Sequence, residues 1–330
     1  MVLAVQILAA IAVAVVRTTV HRLRHGAAVP GWSWSVELRM VVLRTFIMST
    51  AVHADPDARA RLEARYNPPL PRRLRSVLRV RPDSVGGVAG EWHERIDSAL
   101  HDRCTLLYFH GGGYLAGSAA THREWVARLT WAVGCRSFVP DYRLAPEHQF
   151  PAALDDACAV YLALLADGTR PDEIVIAGDS AGGGLSAALL LRLRDEGHPL
   201  PAGSVLFSPY TDLEHTGASI PANAPTDYLP LGRIRPNTPY LGDHDPKDPY
   251  ASPMYGDYTG IPPLLVFAGG REMIRDDATR LVDRARAGAC EVTLHIAPDM
   301  FHVWPAVLPG HPDTLVAEAR TSEWIAAHAG

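Results

Sequence analysis

The distribution of apolar and polar positions divides the chain into an irregular first part and a regular second part. From about residue 104 onward, short apolar runs alternate with segments of helical length. The runs have the length and the β-branched or aromatic content of buried strands, and they occupy Thr105–Phe109, Arg136–Val139, Glu173–Ala177, Ser204–Ser208, Leu264–Ala268 and Val292–Ala297. The clearest helical segments are Ala152–Leu165, Ala181–Arg194, Arg275–Ala287 and Thr314–Ala327. This alternation predicts a mostly parallel sheet with helices on both faces.

Two segments fall outside the alternation. Residues 209–261 join two predicted strands through about fifty residues rich in Pro, Gly, Asp and Tyr, and connections of that length in compact domains are usually functional. The first sixty or so residues are helical in character, with Val36–Met48 as an amphipathic piece. We expect both segments to form a cap over the carboxyl edge of the sheet, where open α/β sheets bind ligands. The predicted organisation is a helical cap segment over 1–65, a main α/β domain over 66–208 and 262–330, and a cap insertion over 209–261.

The N-terminus carries a long apolar stretch. Residues 2–16 are apolar apart from Gln6, and basic residues follow between positions 17 and 24. The run is shorter than the roughly 20 residues of a membrane span, and no basic residue precedes it as in a secretory signal. Two interpretations stay open, a helix that packs on the protein's own lid and a membrane contact through residues 2–24. The expected location is therefore cytoplasmic, with membrane association under the second interpretation.

Composition and charge narrow the classes of function. With 48% apolar and 20% charged residues over 330 positions, the chain has the composition of a globular protein rather than of a disordered one. Its 31 basic and 36 acidic residues give a net charge of −5. Because nucleic-acid-binding proteins carry a basic excess, we expect no nucleic-acid partner.

Cysteine usage bears on compartment and on metal binding. Cys104, Cys135, Cys158 and Cys290 lie far apart and form no CxxC pair. We interpret them as buried thiols in a reducing compartment rather than as a disulfide framework or a zinc site. No other ligand constellation is evident, so we predict no metal and no cofactor.

The most specific local motif is Gly178-Asp179-Ser180-Ala181-Gly182, which follows a predicted strand and precedes a predicted helix. This is the Gly-x-Ser-x-Gly arrangement of a nucleophile elbow in the strand–turn–helix context that the elbow requires. Glycines flank the serine because its backbone is strained and larger side chains would collide with neighbouring backbone. The turn is expected to present the Ser180 hydroxyl at the positive end of a helix, where developing negative charge is stabilised.

A glycine loop, His110-Gly111-Gly112-Gly113, follows the first of the predicted strands. Backbone N–H groups of consecutive glycines can approach a substrate oxygen without obstruction by side chains, which an oxyanion hole requires. In enzymes with a serine elbow, such a loop acts together with the N–H of the residue after the nucleophile, here Ala181. We therefore predict an oxyanion hole from Gly111, Gly112, Gly113 and Ala181, with Gly111 shaping the loop.

The serine elbow and the glycine loop, together with two further sequence stretches, make the chain resemble the hormone-sensitive-lipase-like family of α/β-hydrolase esterases. The further stretches are Asp141-Tyr142-Arg143-Leu144-Ala145-Pro146-Glu147 and Phe301-His302. The resemblance covers roughly residues 70–328, and it implies an α/β-hydrolase fold with a helical cap. It also implies that the first of these stretches supports the active site from beneath. The family's usual substrates, short- to medium-chain acyl esters, are implied for this chain as well.

The catalytic base is expected late in the chain, since α/β-hydrolases place nucleophile, acid and base in that order. His302 follows the last predicted strand by a short loop, whereas His295 lies within that strand and His311 begins the last helix. We therefore predict His302 as the base, and the resemblance agrees with that choice.

The acid is expected in the stretch after the predicted strand Leu264–Ala268. Glu272 stands where family members usually have an aspartate, which is a departure from the family pattern, but a glutamate can orient and stabilise an imidazolium in the same way. Asp276 is the competitor, four residues further on, where a carboxylate commonly caps a helix. We predict Glu272 as the acid.

These residues predict a serine carboxylesterase that acts through an acyl-enzyme on Ser180. The alternative is a lactone hydrolase or natural-product deacetylase with the same triad, and the presence of all three triad residues argues against a non-catalytic small-molecule receptor. The expected partner is a small-molecule ester or lactone, and a homodimer stays open. Candidate pocket residues, each of which could instead pack within the lid, are Tyr114, Leu115, Tyr210, Tyr228, Met254 and Trp304.

Overall fold

The structure is a computed structural model that describes residues 2–51, 69–97, 104–231 and 238–330. These residues form a sheet with eight strands. The strands are β1 (Leu78–Val85), β2 (Val88–Arg95), β3 (Thr105–Phe109), β4 (Arg136–Pro140), β5 (Ile174–Asp179), β6 (Gly203–Phe207), β7 (Leu264–Gly269) and β8 (Val292–Ala297). Their order across the sheet is β1-β2-β4-β3-β5-β6-β7-β8. Strands β3 to β8 pair in parallel, so the predicted parallel sheet is confirmed.

Two antiparallel strands at one edge of the sheet were not predicted. Strand β1 pairs with β2, and β2 pairs with β4, both antiparallel. The sequence of β1 contains Arg79, Arg81 and Asp83, and most of its residues are half-buried or exposed. An edge strand of this kind has no continuous apolar run, which is why the hydrophobic pattern alone did not identify it.

Helices surround the sheet. Their bounds are α1 (Val2–His25), α2 (Trp34–Ala51), α3 (Arg72–Arg75), α4 (Ala119–Val133), α5 (Ala152–Ala166), α6 (Ala181–Asp195), α7 (Ser219–Asn223), α8 (Thr238–Leu241), α9 (Arg275–Ala287), α10 (Trp304–Val307) and α11 (Pro312–His328). The four helices predicted from sequence correspond to α5, α6, α9 and α11.

The two main clusters of the hydrophobic core lie on opposite faces of the sheet, because neighbouring residues of a strand point to opposite faces. In β3, Leu107 and Phe109 pack in the cluster that contains α5, α6 and α9. Leu106 and Tyr108 pack in the other cluster, with α4 and α11. Both faces of the central strands are therefore covered, as expected for a parallel sheet.

The N-terminal helices lie next to the loop between β8 and α10. Helices α1 and α2 pack against each other, and Arg22 forms a salt bridge with the buried carboxylate of Glu37. In the turn between the two helices, the Trp32 indole N–H donates to the carbonyl of Asp299. The Trp32 ring also meets Phe301 edge-on, at 5.8 Å between centroids. Residues 52–65 of the predicted cap segment lie outside the described residues.

The excursion between β6 and β7 reaches back over the carboxyl ends of the strands. From it, the Tyr240 ring stacks on Tyr114 at 3.9 Å between centroids. Tyr114 directly follows the glycine loop at the end of β3. Part of the excursion, residues 232–237, lies outside the described residues.

The prediction of four unpaired thiols was wrong for one pair. Cys104 and Cys135 form a disulfide with 4.8 Å between their Cα atoms. They directly precede β3 and β4, which are neighbouring parallel strands, and Arg136 N donates to Cys104 O at 3.2 Å. The distance along the chain therefore does not separate them in space. Cys158 and Cys290 are buried free thiols, as predicted. The inference of a reducing compartment, which assumed four free thiols, loses its basis.

Reduction of this disulfide should lower the free energy of unfolding by about 2–4 kcal/mol, because the bond restricts the unfolded chain across a medium-length loop. Guanidinium chloride unfolding with and without dithiothreitol measures this difference in the free energy of unfolding. A Cys158→Ser control variant should show the same difference. Alkylation of the denatured, unreduced protein should modify the thiols of Cys158 and Cys290 alone. Alkylation of all four cysteines would contradict the pairing.

Candidate active site

Ser180 lies at the turn between β5 and α6. Its φ of 53° is in the left-handed region, which is a strained conformation for a serine. Ser180 N donates to Phe207 O at 2.9 Å, and Ser180 O accepts from Tyr210 N at 2.9 Å. A Cβ atom at Gly182 would lie 2.0 Å from Phe109 O, so the chain can turn this closely only with glycine there.

The loop after β8 brings His302 to this serine. His302 Nε2 lies 2.8 Å from Ser180 Oγ, within hydrogen-bond distance. The imidazole is buried, and Val303 N donates to Ser208 Oγ at 3.1 Å, which ties the loop to the end of β6. The geometry allows the serine hydroxyl to donate to an unprotonated imidazole.

Glu272, in the loop after β7, lies on the other side of the imidazole. Its Oε2 is 3.5 Å from His302 Nδ1, and its side chain is fully buried. Burial alone would lower the pKa of His302, but the neighbouring carboxylates, Glu272 foremost, raise it above its usual value of 6.5. Serine, histidine and glutamate thus form a continuous chain of contacts.

Asp276, the competing candidate for the acid, has different partners. It is the second residue of α9, and its carboxylate accepts from Ser219 N at 2.8 Å and from the Arg275 guanidinium at 2.9 Å. These contacts are those of a carboxylate at a helix N-terminus. The structure therefore places Glu272, rather than Asp276, against His302.

The glycine loop follows β3 at the same edge of the sheet. Gly111 N donates to Asp179 Oδ1 at 3.1 Å, so this N–H holds the loop and is not directed to a substrate. That corrects its inclusion among the oxyanion donors, while its predicted role in shaping the loop agrees with the contact. Gly112 has a φ of 129°, and a Cβ there would lie 1.9 Å from Ala116 O. Ala181 begins α6, directly after the serine.

A buried carboxylate that sequence reasoning did not single out supports this loop. Besides Gly111, Asp179 accepts from Tyr108 Oη at 2.7 Å and lies 3.4 Å from His122 Nε2. Burial raises the pKa of Asp179, but contacts with His122 and Tyr108 outweigh it and hold the pKa below its usual value. Asp179 occupies a variable position of the elbow motif, so the motif itself gave no reason to select it.

The run from Asp141 to Glu147 packs against the same loop. Tyr142 Oη donates to His110 O at 2.6 Å, and the two rings stack at 4.3 Å between centroids. Asp141 accepts from Ala119 N at 2.7 Å, at the start of α4. These contacts agree with the structural role that the resemblance implied.

A family model described as the α/β hydrolase fold matches residues 106–306, more than half of the chain. The chain belongs to the α/β-hydrolase family. It is 42% identical to an acetyl-hydrolase of Streptomyces hygroscopicus over 234 residues, which cover 70% of this chain and 77% of that relative.

Two solved structures are similar to this α/β-hydrolase over most of its length. An esterase/lipase from an uncultured bacterium is 36% identical with a TM-score of 0.77, over 88% of this chain and 98% of that one. An esterase from the bacterial hormone-sensitive lipase family is 37% identical with a TM-score of 0.74, over 96% and 98% of the two chains. The predicted fold and family resemblance are confirmed, and so is the enzyme class, a carboxylic ester hydrolase.

The six residues predicted to line the hydrolase's pocket fall into two groups. Tyr114, Tyr210 and Tyr228 lie at the site. Tyr114 follows the glycine loop, Tyr210 N donates to the backbone of Ser180, and the Tyr228 ring lies 5.6 Å from that of His302. All three tyrosines are buried.

The other three predicted pocket residues are part of the packing. Leu115 is half-buried against the core cluster of α5, α6 and α9. Met254 is buried, and its N–H donates to Thr211 O at 3.4 Å. Trp304 is fully buried in the opposite cluster. A role for Leu115, Met254 and Trp304 in contacting substrate stays a prediction.

A segment of the excursion contacts the loops that carry Glu272 and His302, and sequence reasoning missed it. Asn223 Nδ2 donates to Glu272 O at 2.8 Å. Asp227 accepts from His302 N at 3.2 Å and from Met273 N at 2.6 Å. The segment has no local motif, so only the three-dimensional structure identifies it.

The two acid candidates can be separated by isosteric amides. Glu272→Gln should lower turnover by on the order of 10⁴-fold, because an amide neither stabilises the imidazolium nor fixes the same tautomer. Asp276→Asn should lower it far less, since that carboxylate contacts Ser219 at the start of α7 and the neighbouring Arg275. Turnover of a p-nitrophenyl ester measures both, with thermal unfolding to confirm that each variant folds. The reverse ranking would assign the acid to Asp276.

Proposed function

We propose that this hydrolase is a serine carboxylesterase that forms an acyl-enzyme on Ser180. The observation that carries the proposal is the 2.8 Å contact between Ser180 Oγ and His302 Nε2, with Glu272 on the other imidazole nitrogen. A nucleophile within reach of a base that a third group orients is the arrangement of covalent acyl transfer.

In the first step, Ser180 Oγ attacks the ester carbonyl carbon while His302 Nε2 accepts the hydroxyl proton. The Glu272 carboxylate stabilises the imidazolium that forms. Donors for the carbonyl oxygen, which becomes an oxyanion, are the N–H groups of Gly112, Gly113 and Ala181. Collapse of the tetrahedral intermediate transfers the proton from His302 to the leaving alcohol and leaves the acyl-enzyme.

In the second step, water replaces the alcohol. His302 accepts a proton from the water, which attacks the acyl carbonyl, and the second tetrahedral intermediate releases the carboxylic acid as the proton returns to Ser180. A raised pKa makes the neutral His302 imidazole a stronger base for the serine proton, but the imidazole must be unprotonated to begin the cycle.

The proposed substrates are short- to medium-chain acyl esters. The site is nearly closed, since Ser180 is only 9% exposed and His302 only 1% exposed. The buried tyrosine stack of Tyr114 and Tyr240 lies directly beyond the glycine loop, which supports a small acyl group. A deacetylase is the second candidate, and the relative named an acetyl-hydrolase favours it.

A series of p-nitrophenyl esters from acetyl to decanoyl tests the proposal on the wild-type protein and on Ser180→Ala. The wild type should have its highest kcat/KM between acetyl and hexanoyl, and it should decline for longer chains. Ser180→Ala should lose at least about 10⁴-fold in kcat for every ester. Activity that survives in Ser180→Ala would overturn the mechanism, and a sharp preference for acetyl alone would favour the deacetylase.

For the N-terminal helix we propose contact with a lipid membrane. The part of α1 from Val5 to His25 is long and apolar enough to cross a bilayer, and although one side of it packs on α2, no residue in it is fully buried. Leu8, Val16 and Leu23 are 66%, 61% and 83% exposed. An exposed apolar surface of this kind, followed by basic residues at one end, fits the interior and the phosphate groups of a membrane.

Acidic substitutions on the exposed face should weaken that contact. Leu8→Asp combined with Val16→Asp is expected to lower cosedimentation with phosphatidylcholine–phosphatidylglycerol vesicles about tenfold or more, because a carboxylate is costly in the apolar layer. Leu315→Asp is the matched control, since Leu315 is an exposed leucine, at 54%, on helix α11. Unchanged vesicle binding, with loss of a dimer in size-exclusion chromatography, would instead assign the surface to a second copy of the chain.

A further inference from the structure

Asp227 lies where the excursion meets the two loops that carry the acid and the base. It is fully buried, and its carboxylate has backbone partners on both sides. Oδ1 accepts from His302 N at 3.2 Å, and Oδ2 accepts from Met273 N at 2.6 Å. Met273 is the residue after Glu272. A single carboxylate thus bridges the backbones of the acid loop and the base loop.

The bridge is well suited to a carboxylate. Tyr228 N is a third donor, at 2.8 Å from Oδ1, and an ionised carboxylate accepts bonds through both oxygens without donating any. The distance between Glu272 and His302 depends on the relative position of the loops after β7 and β8. Since neither loop belongs to a regular element, a shared acceptor is an effective means of fixing them together.

Asp227 also contributes charge. The ionisable groups facing it are His302, Glu272 and Tyr228. Burial raises the pKa of Asp227 to about 6, with the Glu272 charge adding to the effect and the His302 charge and the N–H donors opposing it. Above that pH the carboxylate is ionised, and its charge, like that of Asp179, raises the pKa of His302.

We propose that Asp227 is a positioning residue of the esterase. It fixes the separation of Glu272 and His302 through their backbones, and it adds to Glu272 a further negative charge that stabilises the imidazolium. This inference rests on the proposed function, because it assumes that His302 acts as the base for Ser180. It assigns to the excursion a part in catalysis in addition to any part in covering the substrate.

The direct test is Asp227→Asn in the full-length protein. The amide has nearly the same shape, but its NH₂ group cannot accept a hydrogen bond, so one of the two loops loses its partner, and the negative charge is lost. We expect kcat for p-nitrophenyl butyrate to fall about 10- to 100-fold, as for a small displacement of catalytic groups. KM should change less than about twofold, because Asp227 does not contact the substrate in this proposal.

The pH profile distinguishes positioning and charge from stability alone. His302 must be unprotonated to act as the base, so kcat/KM rises with pH through its pKa. Removal of a nearby negative charge lowers that pKa, and the acidic limb should move to lower pH by about one unit. Asp227→Ser, which also removes the charge but leaves more space, should move the limb in the same direction and serves if the asparagine variant does not fold.

Asp212→Asn is the matched control. Asp212 is a fully buried carboxylate of the same excursion, but it accepts from Thr216 N at 2.8 Å and pairs with Arg280 at 2.9 Å. Its substitution is expected to lower the melting temperature without moving the acidic limb. A folded Asp227→Asn protein with unchanged kcat and pH profile would overturn the inference, as would an equal shift in Asp212→Asn.

Failure of this inference is distinguishable from failure of the proposed function. Full activity in Ser180→Ala would contradict the proposed function itself. An inactive Ser180→Ala together with an unaltered Asp227→Asn would leave the esterase mechanism in place and remove the positioning role alone.

Discussion

The site depends on a carboxylate held in the dry interior beside an imidazole. Glu272 is fully buried, and among the described residues His302 is the group that forms an ion pair with it, at 3.5 Å. An isolated buried charge is costly, so the surroundings favour protonation of the imidazole. In the proposed mechanism that preference assists Ser180, because His302 must accept the serine proton as the bond to the substrate forms. The remaining architecture keeps these groups aligned and excludes water from them.

The side chains of the site are aligned because they all follow strands at one edge of the parallel sheet. Ser180 follows β5, Glu272 follows β7 and His302 follows β8, so three distant stretches of chain meet at one edge. The glycine loop after β3 joins them there, fixed by Asp179 from the adjacent strand. The strands are rigid because both of their faces are covered, whereas the loops need contacts of their own, and buried carboxylates supply several of these.

Sequence reasoning was accurate where the signal is local. The six parallel strands and the tight turn at Ser180 are each encoded in a few adjacent residues, and the order of strand ends pointed to His302, which lies 2.8 Å from Ser180 Oγ. It failed where the signal depends on which strands are neighbours. Cys104 and Cys135 pair because β3 and β4 are adjacent, and Asp227 meets the triad only through the fold of the excursion. Polar edge strands such as β1 lack the apolar run that identifies central ones.

The N-terminal helices have a consequence for how this protein is prepared. Trp32 donates to Asp299 and packs on Phe301, the residue before the base. Apolar N-terminal segments are often removed to obtain material for assays. Removal of residues 1–51 would here remove Trp32, which supports the loop that carries His302. Low turnover in such a shortened version would report the missing support, and it would say little about which esters the intact protein hydrolyses.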